Sequence, residues 1–95
     1  MHQTITLEKV EHYFSITEKA LEQAQGAFDH SRKKEAAIVY DMASGYVQDA
    51  HYFFDEKKDL VLAFAALNYA HGWLDAGARL GLFTVNDHTL FVLDS

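Results

Sequence analysis

The segment from Leu60 to Leu82 most constrains the fold, because its only formal charges are Asp75 and Arg79 and it contains no proline. Its residues form two neighbouring stripes at helical steps of three and four. One stripe contains Leu60, Phe64, Leu67, His71, Leu74, Ala78 and Gly81, and the other contains Ala63, Ala66, Ala70, Trp73, Gly77 and Leu80. A helix with two apolar stripes needs cover on more than one side. We therefore predict packing against two other helices and, at Trp73, against a second subunit.

Two amphipathic segments precede this helix. The first predicted helix runs from about Leu7 to Phe28, with Thr6 as its N-cap and Thr17 as the one weak point of its apolar seam. The second runs from about Arg32 to Asp55, and either Asp29 or Ser31 can cap it. Gly45 inside the second helix predicts close packing by another helix, because apolar periodicity continues on both sides of it. Asp59 is the expected N-cap of the third helix, which runs from about Leu60 to Leu80.

These segments predict one all-α domain over residues 1–95, with no room for a second core. The expected fold is an antiparallel three-helix bundle: a helical hairpin of helices 2 and 3 plus the N-terminal helix. After Gly81 the pattern changes to two short β-prone runs, Phe83–Val85 and Leu90–Leu93, around a turn-like centre. We expect this tail to lie over the bundle as an extended segment or a small hairpin.

Composition limits the functions that the chain can have. A formal net charge of −6 repels phosphate backbones, so we expect no nucleic-acid partner. Cysteine is absent, which excludes disulfides and thiolate metal sites. No apolar run approaches the ~18–20 residues that span a bilayer, and the N-terminus lacks the pattern of a signal peptide. The expectation is a cytoplasmic protein without a membrane span, and nothing in the sequence calls for a cofactor.

The polar residues of the third helix are the main candidates for chemistry. His71, Asp75 and Arg79 follow one another at steps of four, so they line one side of the helix. A histidine and an aspartate at this spacing can ligate a metal, or form a general base with its orienting carboxylate. Asp49 and His51 on the second helix are the candidates for further ligands.

A structural interpretation of the same residues is favoured. Asp75 and Arg79 match an ordinary helical ion pair, and His71 matches a hydrogen-bonded core histidine. Asp49 and His51 are only two residues apart and so diverge by about 200° around their helix. At most one of them can face His71, and we therefore predict that His71 and Asp75 do not hold a divalent metal ion.

A family resemblance rests on Asp49-Ala50-His51-Tyr52-Phe53 and on the stretch Asp59–Gly77, above all on its end Tyr69-Ala70-His71-Gly72-Trp73-Leu74-Asp75-Ala76-Gly77. These residues resemble the archaeal domain of unknown function family 357, whose pattern is "DA-x-x-F … D-x-x-x-A … YA-x-GWLDAG". The resemblance is close from about Ala43 to Phe83 and loose over helix one. It implies a compact helical bundle, cytoplasmic in archaea, and no established activity. Lys57-Lys58 replaces a glycine that is typical of the family in the turn between helices two and three.

Two functions remain open at this point. The leading hypothesis is a non-enzymatic protein-interaction or self-association module that forms a homodimer through the third helix, with Trp73 at or near the interface, and that has an unidentified protein partner. The alternative is a small enzyme, or a ligand- or metal-binding protein, that uses Asp49, His71, Asp75 and Arg79. Carboxylates converging on His71 in an open pocket would favour the alternative, and pairing inside a closed core would favour the first.

Overall fold

The computed structural model describes residues 4–92, which contain three α-helices. Helix α1 spans Leu7–Gln25, α2 spans Lys33–His51 and α3 spans Leu60–Arg79. A short 3₁₀ helix, His30–Arg32, precedes α2, and one π-helical turn, Tyr52–Glu56, follows it. The three helices pack compactly, which confirms the predicted all-α fold. None of the helices in residues 4–92 combines the length and the apolar character that crossing a membrane requires.

Local sequence explains where the helices begin. The Thr6 side chain accepts a hydrogen bond from the backbone N–H of Lys9, and Asp59 accepts one from Leu62, so both predicted N-caps are confirmed. Asp29 caps the 3₁₀ helix through the backbone N–H of Ser31. Helix α2 then continues directly from this 3₁₀ turn, which explains why it begins at Lys33 without a side-chain cap of its own.

Helices α1 and α3 run in the same direction, and α2 runs antiparallel to both. One core cluster joins the early residues of α1 to the early residues of α3 and the end of α2; it contains Val10, Phe14, Ala50, Ala63, Ala66 and Leu67. A second cluster joins the late halves of α1 and α3 to the start of α2 and to the tail; it contains Ala20, Ala24, Ala36, Ala43, Leu74, Leu82, Phe83, Leu90 and Phe91. Alanines dominate where helices meet, so their axes can approach closely.

The turn between α2 and α3 holds an unusual backbone conformation. Lys58 has a φ of 55°, the left-handed region that glycine adopts most readily. This is the turn in which the resemblance expects a glycine. The π-helical turn before it closes with a hydrogen bond from the Lys57 N–H to the Tyr52 carbonyl oxygen.

The segment from Leu82 to Val92, here called the strap, crosses the bundle as extended chain and turns. Within residues 4–92 there is no β-strand; the strap makes one isolated bridge, between Phe83 and Phe28. The predicted extended tail is therefore present and the hairpin is not; Leu93 lies outside the described residues. Phe83 is buried against Gly77, where an added Cβ would lie 2.3 Å from the Phe83 ring. Leu90 and Phe91 are also buried.

A short-range network holds the turn of the strap. Asp87 accepts hydrogen bonds from the backbone N–H and the hydroxyl of Thr89, and from the side-chain amide of Gln23 on α1. The hydroxyl of Thr89 is the largest cause that holds the pKa of Asp87 below its ordinary value, and Gln23 adds to the effect. The ionised carboxylate thus fixes the turn that carries Leu90 and Phe91 back onto α3.

Candidate functional site

His71 lies between α1 and the strap, and both of its ring nitrogens have partners. Nε2 is 2.7 Å from the carbonyl oxygen of Leu90, and Nδ1 is 3.3 Å from the hydroxyl of Thr17. A carbonyl only accepts, so Nε2 carries the proton and donates it to Leu90. Nδ1 pairs with the hydroxyl of Thr17, a group that can both donate and accept. Thr17 in the apolar stripe of α1 and His71 in the apolar stripe of α3 are therefore hydrogen-bond partners.

Thr17, His71 and Asp75 are the residue types of a nucleophilic triad, and the structure brings them close together. The arrangement is nevertheless closed. Thr17 is 0% exposed, and Nε2 of His71 is 3.8 Å from Asp75 Oδ1, too far for a hydrogen bond. A nucleophile must reach its substrate, and a base must have a nitrogen free to accept its proton. Here the hydroxyl is enclosed, and both nitrogens make structural hydrogen bonds.

Asp75 holds the strap rather than Arg79. Its Oδ1 accepts a hydrogen bond of 2.9 Å from the backbone N–H of Val92. The side chain is 23% exposed. The expected pair with Arg79 is not formed among the ion pairs of residues 4–92; Arg79 is exposed at the end of α3.

Asp49 lies on a different side of the molecule from His71. It is exposed on α2 and lines a surface hollow together with Ala65, Ala66 and Tyr69 of α3. Arg79 is thirteen residues beyond Ala66, about 20 Å further along the helix axis. Within the described chain no hydrogen bond or ion pair joins Asp49 to His71, Asp75 or Arg79. The four candidate residues do not form one site.

His51 has two acidic neighbours. Its Nε2 is 3.3 Å from Glu18 of α1 and its Nδ1 is 3.8 Å from Asp55, while the ring packs at 4.6 Å from the ring of Phe14. The two carboxylates approach opposite ring nitrogens, so they cannot share a metal ion with the imidazole. Among residues 4–92 no three His, Asp or Glu side chains are arranged to hold a metal ion.

An exposed surface with several apolar residues lies on the side of α2 and α3 that faces away from α1. Tyr69 and His71 are two residues apart and point about 200° apart around α3, so Tyr69 is opposite the strap and α1. Three hollows adjoin here: the middle one shares Tyr46 and Asp49 with the hollow on α2 and Tyr69 with the hollow on α3, so together they form one continuous surface. We call it the outer face and define it by Met42, Gly45 and Tyr46 of α2 and Leu62, Tyr69 and Gly72 of α3.

Aromatic side chains occupy the centre of the outer face. The rings of Tyr46 and Tyr69 stack with centroids 5.3 Å apart, and Tyr69 remains 62% exposed. Trp73 is only half-buried: one side packs on the second core cluster and the other borders the hollow at Gly72. Trp73 thus lies at the edge of this surface.

Comparison with known protein families identifies the family of this chain. The model of the family described as "Protein of unknown function (DUF357)" matches residues 12–83. The chain belongs to this family. The resemblance drawn from the Tyr69–Gly77 motif is thereby confirmed, and the match extends it over most of α1. No curated protein and no solved structure matches the chain.

The residues of the family motif lie on two different sides of α3. In Tyr69–Gly77, the outer face uses Tyr69 and Gly72, and the strap is held by His71, Asp75 and Gly77. Sequence reasoning missed Thr17 and the main chain of the strap as the partners of His71 and Asp75. The pairing could have been predicted from one feature: Thr17 and His71 each lie in an apolar stripe, and each needs a polar partner once it is buried.

Proposed function

We propose that this member of the DUF357 family is a non-enzymatic protein-interaction module of the cytoplasm, and that the outer face is its docking surface. The observation that supports the proposal is an exposed apolar surface that no other part of residues 4–92 covers. On it Leu62 is 45% and Tyr69 is 62% exposed. Contiguous exposed apolar surface of this kind is characteristic of interaction sites.

The character of α3 strengthens this interpretation. A solvent-facing helix side normally carries charged residues, yet the outward positions Leu62, Tyr69 and Gly72 and their neighbours Ala65 and Ala76 carry none. Aromatic residues are enriched in the centre of protein interfaces, and lysine and glutamate are depleted there. The stacked tyrosines and the small residues of α3 match that composition, while Asp41, Gln48 and Asp49 border it on the side of α2.

The alternative, an enzyme or a ligand- or metal-binding protein that uses Asp49, His71, Asp75 and Arg79, requires these side chains to converge. Asp49 instead lies on the outer face, while His71 and Asp75 hold the strap. The hydrogen bonds of His71 lie in a closed environment, which favours the interaction module.

The test is affinity capture from an extract of the native organism, with the full chain as bait. Leu62→Lys places a charge on the outer face. Leu7→Lys is the matched control, because Leu7 is 51% exposed, lies in the first turn of α1 and is outside the outer face. We expect a partner that the wild type and Leu7→Lys retain and Leu62→Lys loses. A partner retained equally by all three baits, or by none, would overturn the proposal.

A further inference from the structure

Two glycines inside the helices of the outer face have no packing reason within residues 4–92. An added Cβ at Gly45 of α2 or at Gly72 of α3 would meet no neighbouring atom of the described residues within 4 Å. The sequence predicted that another helix packs closely on Gly45, and within residues 4–92 none does. Glycine weakens a helix relative to alanine, so its use at two such positions is costly unless something outside the chain requires the space.

The two glycines lie at nearly the same height in the hairpin. Helices α2 and α3 are antiparallel, and Tyr46 of α2 stacks on Tyr69 of α3, so these two residues lie at the same height along the helix axes. Any other residue of α2 and residue of α3 lie at the same height when their numbers also add up to about 115. Gly72 is therefore level with position 43 of α2, and Gly45 with position 70 of α3. Each glycine opens into a hollow, one lined by Met42 and Tyr46 and the other by Tyr69 and Trp73.

We propose that the occupant of the outer face is a second copy of this chain, related by a two-fold axis parallel to the helices; this rests on the proposed docking function of that face. Such an axis leaves every residue at its own height and places each α2 over the partner's α3, antiparallel to it. The partner's Met42 then covers Gly72, and the partner's Tyr69 covers Gly45. The face carries both the projecting side chains and the hollows that receive them, at reciprocal positions, as a two-fold interface requires.

The size of the face is sufficient for a dimer. Helix α3 has twenty residues and is about 30 Å long. Two packed helices are about 20 Å wide, so the face offers about 600 Å² per copy. Two copies would bury about 1,200 Å², the lower end of the range for specific interfaces. The pair of hairpins would form a four-helix core with α1 of each copy on the outside, and the apolar positions of α3 that the chain leaves open would be buried.

Sedimentation equilibrium of the purified full chain from about 1 µM to about 1 mM tests the proposal directly. We expect a mass of twice 10.8 kDa at the upper end. Leu62→Lys should raise the dissociation constant about tenfold or more, and the control Leu7→Lys should leave it unchanged. Because each copy carries −6 charges, added salt should tighten the dimer. A monomer throughout, or a dimer that only Leu7→Lys disrupts, would overturn the inference.

Exchanging the large residue Met42 and the small residue Gly72 between the two sides of the contact tests the two-fold arrangement itself. Gly72→Met adds a side chain whose Cβ has open space in the described monomer, and by filling the hollow it should weaken association about tenfold. Adding Met42→Gly creates space opposite and should restore most of the affinity, although Met42→Gly alone weakens the dimer. Absence of this recovery in folded variants would rule out the contact between Met42 and Gly72. A purified monomer combined with a Leu62-dependent partner in the extract would overturn the self-association and leave the docking function standing.

Discussion

The two sides of α3 use their residues in opposite ways. On the side toward α1 and the strap, His71 and Asp75 make complementary hydrogen bonds, and Phe83 fills the space that Gly77 leaves. On the outer face Leu62 and Tyr69 expose apolar and aromatic surface that no other part of residues 4–92 covers, and Gly72 opens into a hollow. Two of the polar residues that suggest chemistry, His71 and Asp75, thus contact the strap, while apolar and small residues of the outer face stay uncovered within residues 4–92.

The largest expected effect on this comparison comes from His71→Ala. The substitution leaves the enclosed hydroxyl of Thr17 and the carbonyl of Leu90 without their partner and opens a cavity. Each buried polar group left unpaired costs about 1–3 kcal/mol, so we expect a loss of about 2–4 kcal/mol in the free energy of unfolding, measured by urea denaturation.

The double variant with Thr17→Val provides the control for His71→Ala. Replacing both partners by apolar groups removes the unpaired hydroxyl, so Thr17→Val should cost much less in the His71→Ala background than in the wild type. Equal costs in the two backgrounds would show that Thr17 and His71 are not coupled. If His71→Ala alone lowers the free energy of unfolding by less than about 1 kcal/mol, the histidine is not important for the stability of the fold.

The second-largest effect is that replacing two glycines of α3 by alanine should change the stability of the protein in opposite directions. Gly77→Ala places a Cβ against the buried ring of Phe83 and should destabilise the protein by about 1–3 kcal/mol. The Cβ of Gly72→Ala meets no neighbouring atom in the described part of the chain, and the substitution should stabilise the monomer by up to about 1 kcal/mol. Thermal unfolding at low protein concentration measures both. Shifts of the same sign and size would contradict the contrast between the two sides of α3.

The smallest effect is expected for Asp75→Asn. Asparagine keeps an oxygen that can accept the hydrogen bond from the Val92 N–H, so only the charge is lost. A charge-assisted hydrogen bond at a partly exposed site should weaken by about 1 kcal/mol. Asp75→Ala removes the acceptor altogether and should cost more. Amide hydrogen exchange of Val92 reports the contact itself; protection unchanged in Asp75→Ala would show that the aspartate does not hold the strap.

The helices could be predicted because their signals are local. Helical spacing of apolar residues and the caps at Thr6 and Asp59 depend on neighbours within a turn or two, and the first and third helices begin where predicted. The ends were less accurate. Helix α1 stops at Gln25 rather than Phe28, because Phe28 bridges to Phe83, more than fifty residues away.

The candidate site could be predicted only in its residues, not in its arrangement. Periodicity placed His71 and Asp75 on one side of α3 but did not reveal that their partners are Thr17, Leu90 and Val92. Two of those partners contribute only main-chain groups, which leave no trace in side-chain chemistry. Asp49 was grouped with His71 because both lie on the hairpin, yet side chains on adjacent helices can point to opposite surfaces.

The strap has a consequence for how its sequence can vary. His71 and Asp75 recognise a carbonyl oxygen and an N–H, groups that every residue except proline presents alike at those two points. Side chains that project from the strap into solvent, as Val92 does, are therefore free to drift. In other members of the family we expect α3 to keep the histidine, aspartate and glycine that contact the strap. The sequence of the strap should vary, except that its buried positions stay apolar and that proline is absent where the backbone N–H donates a hydrogen bond.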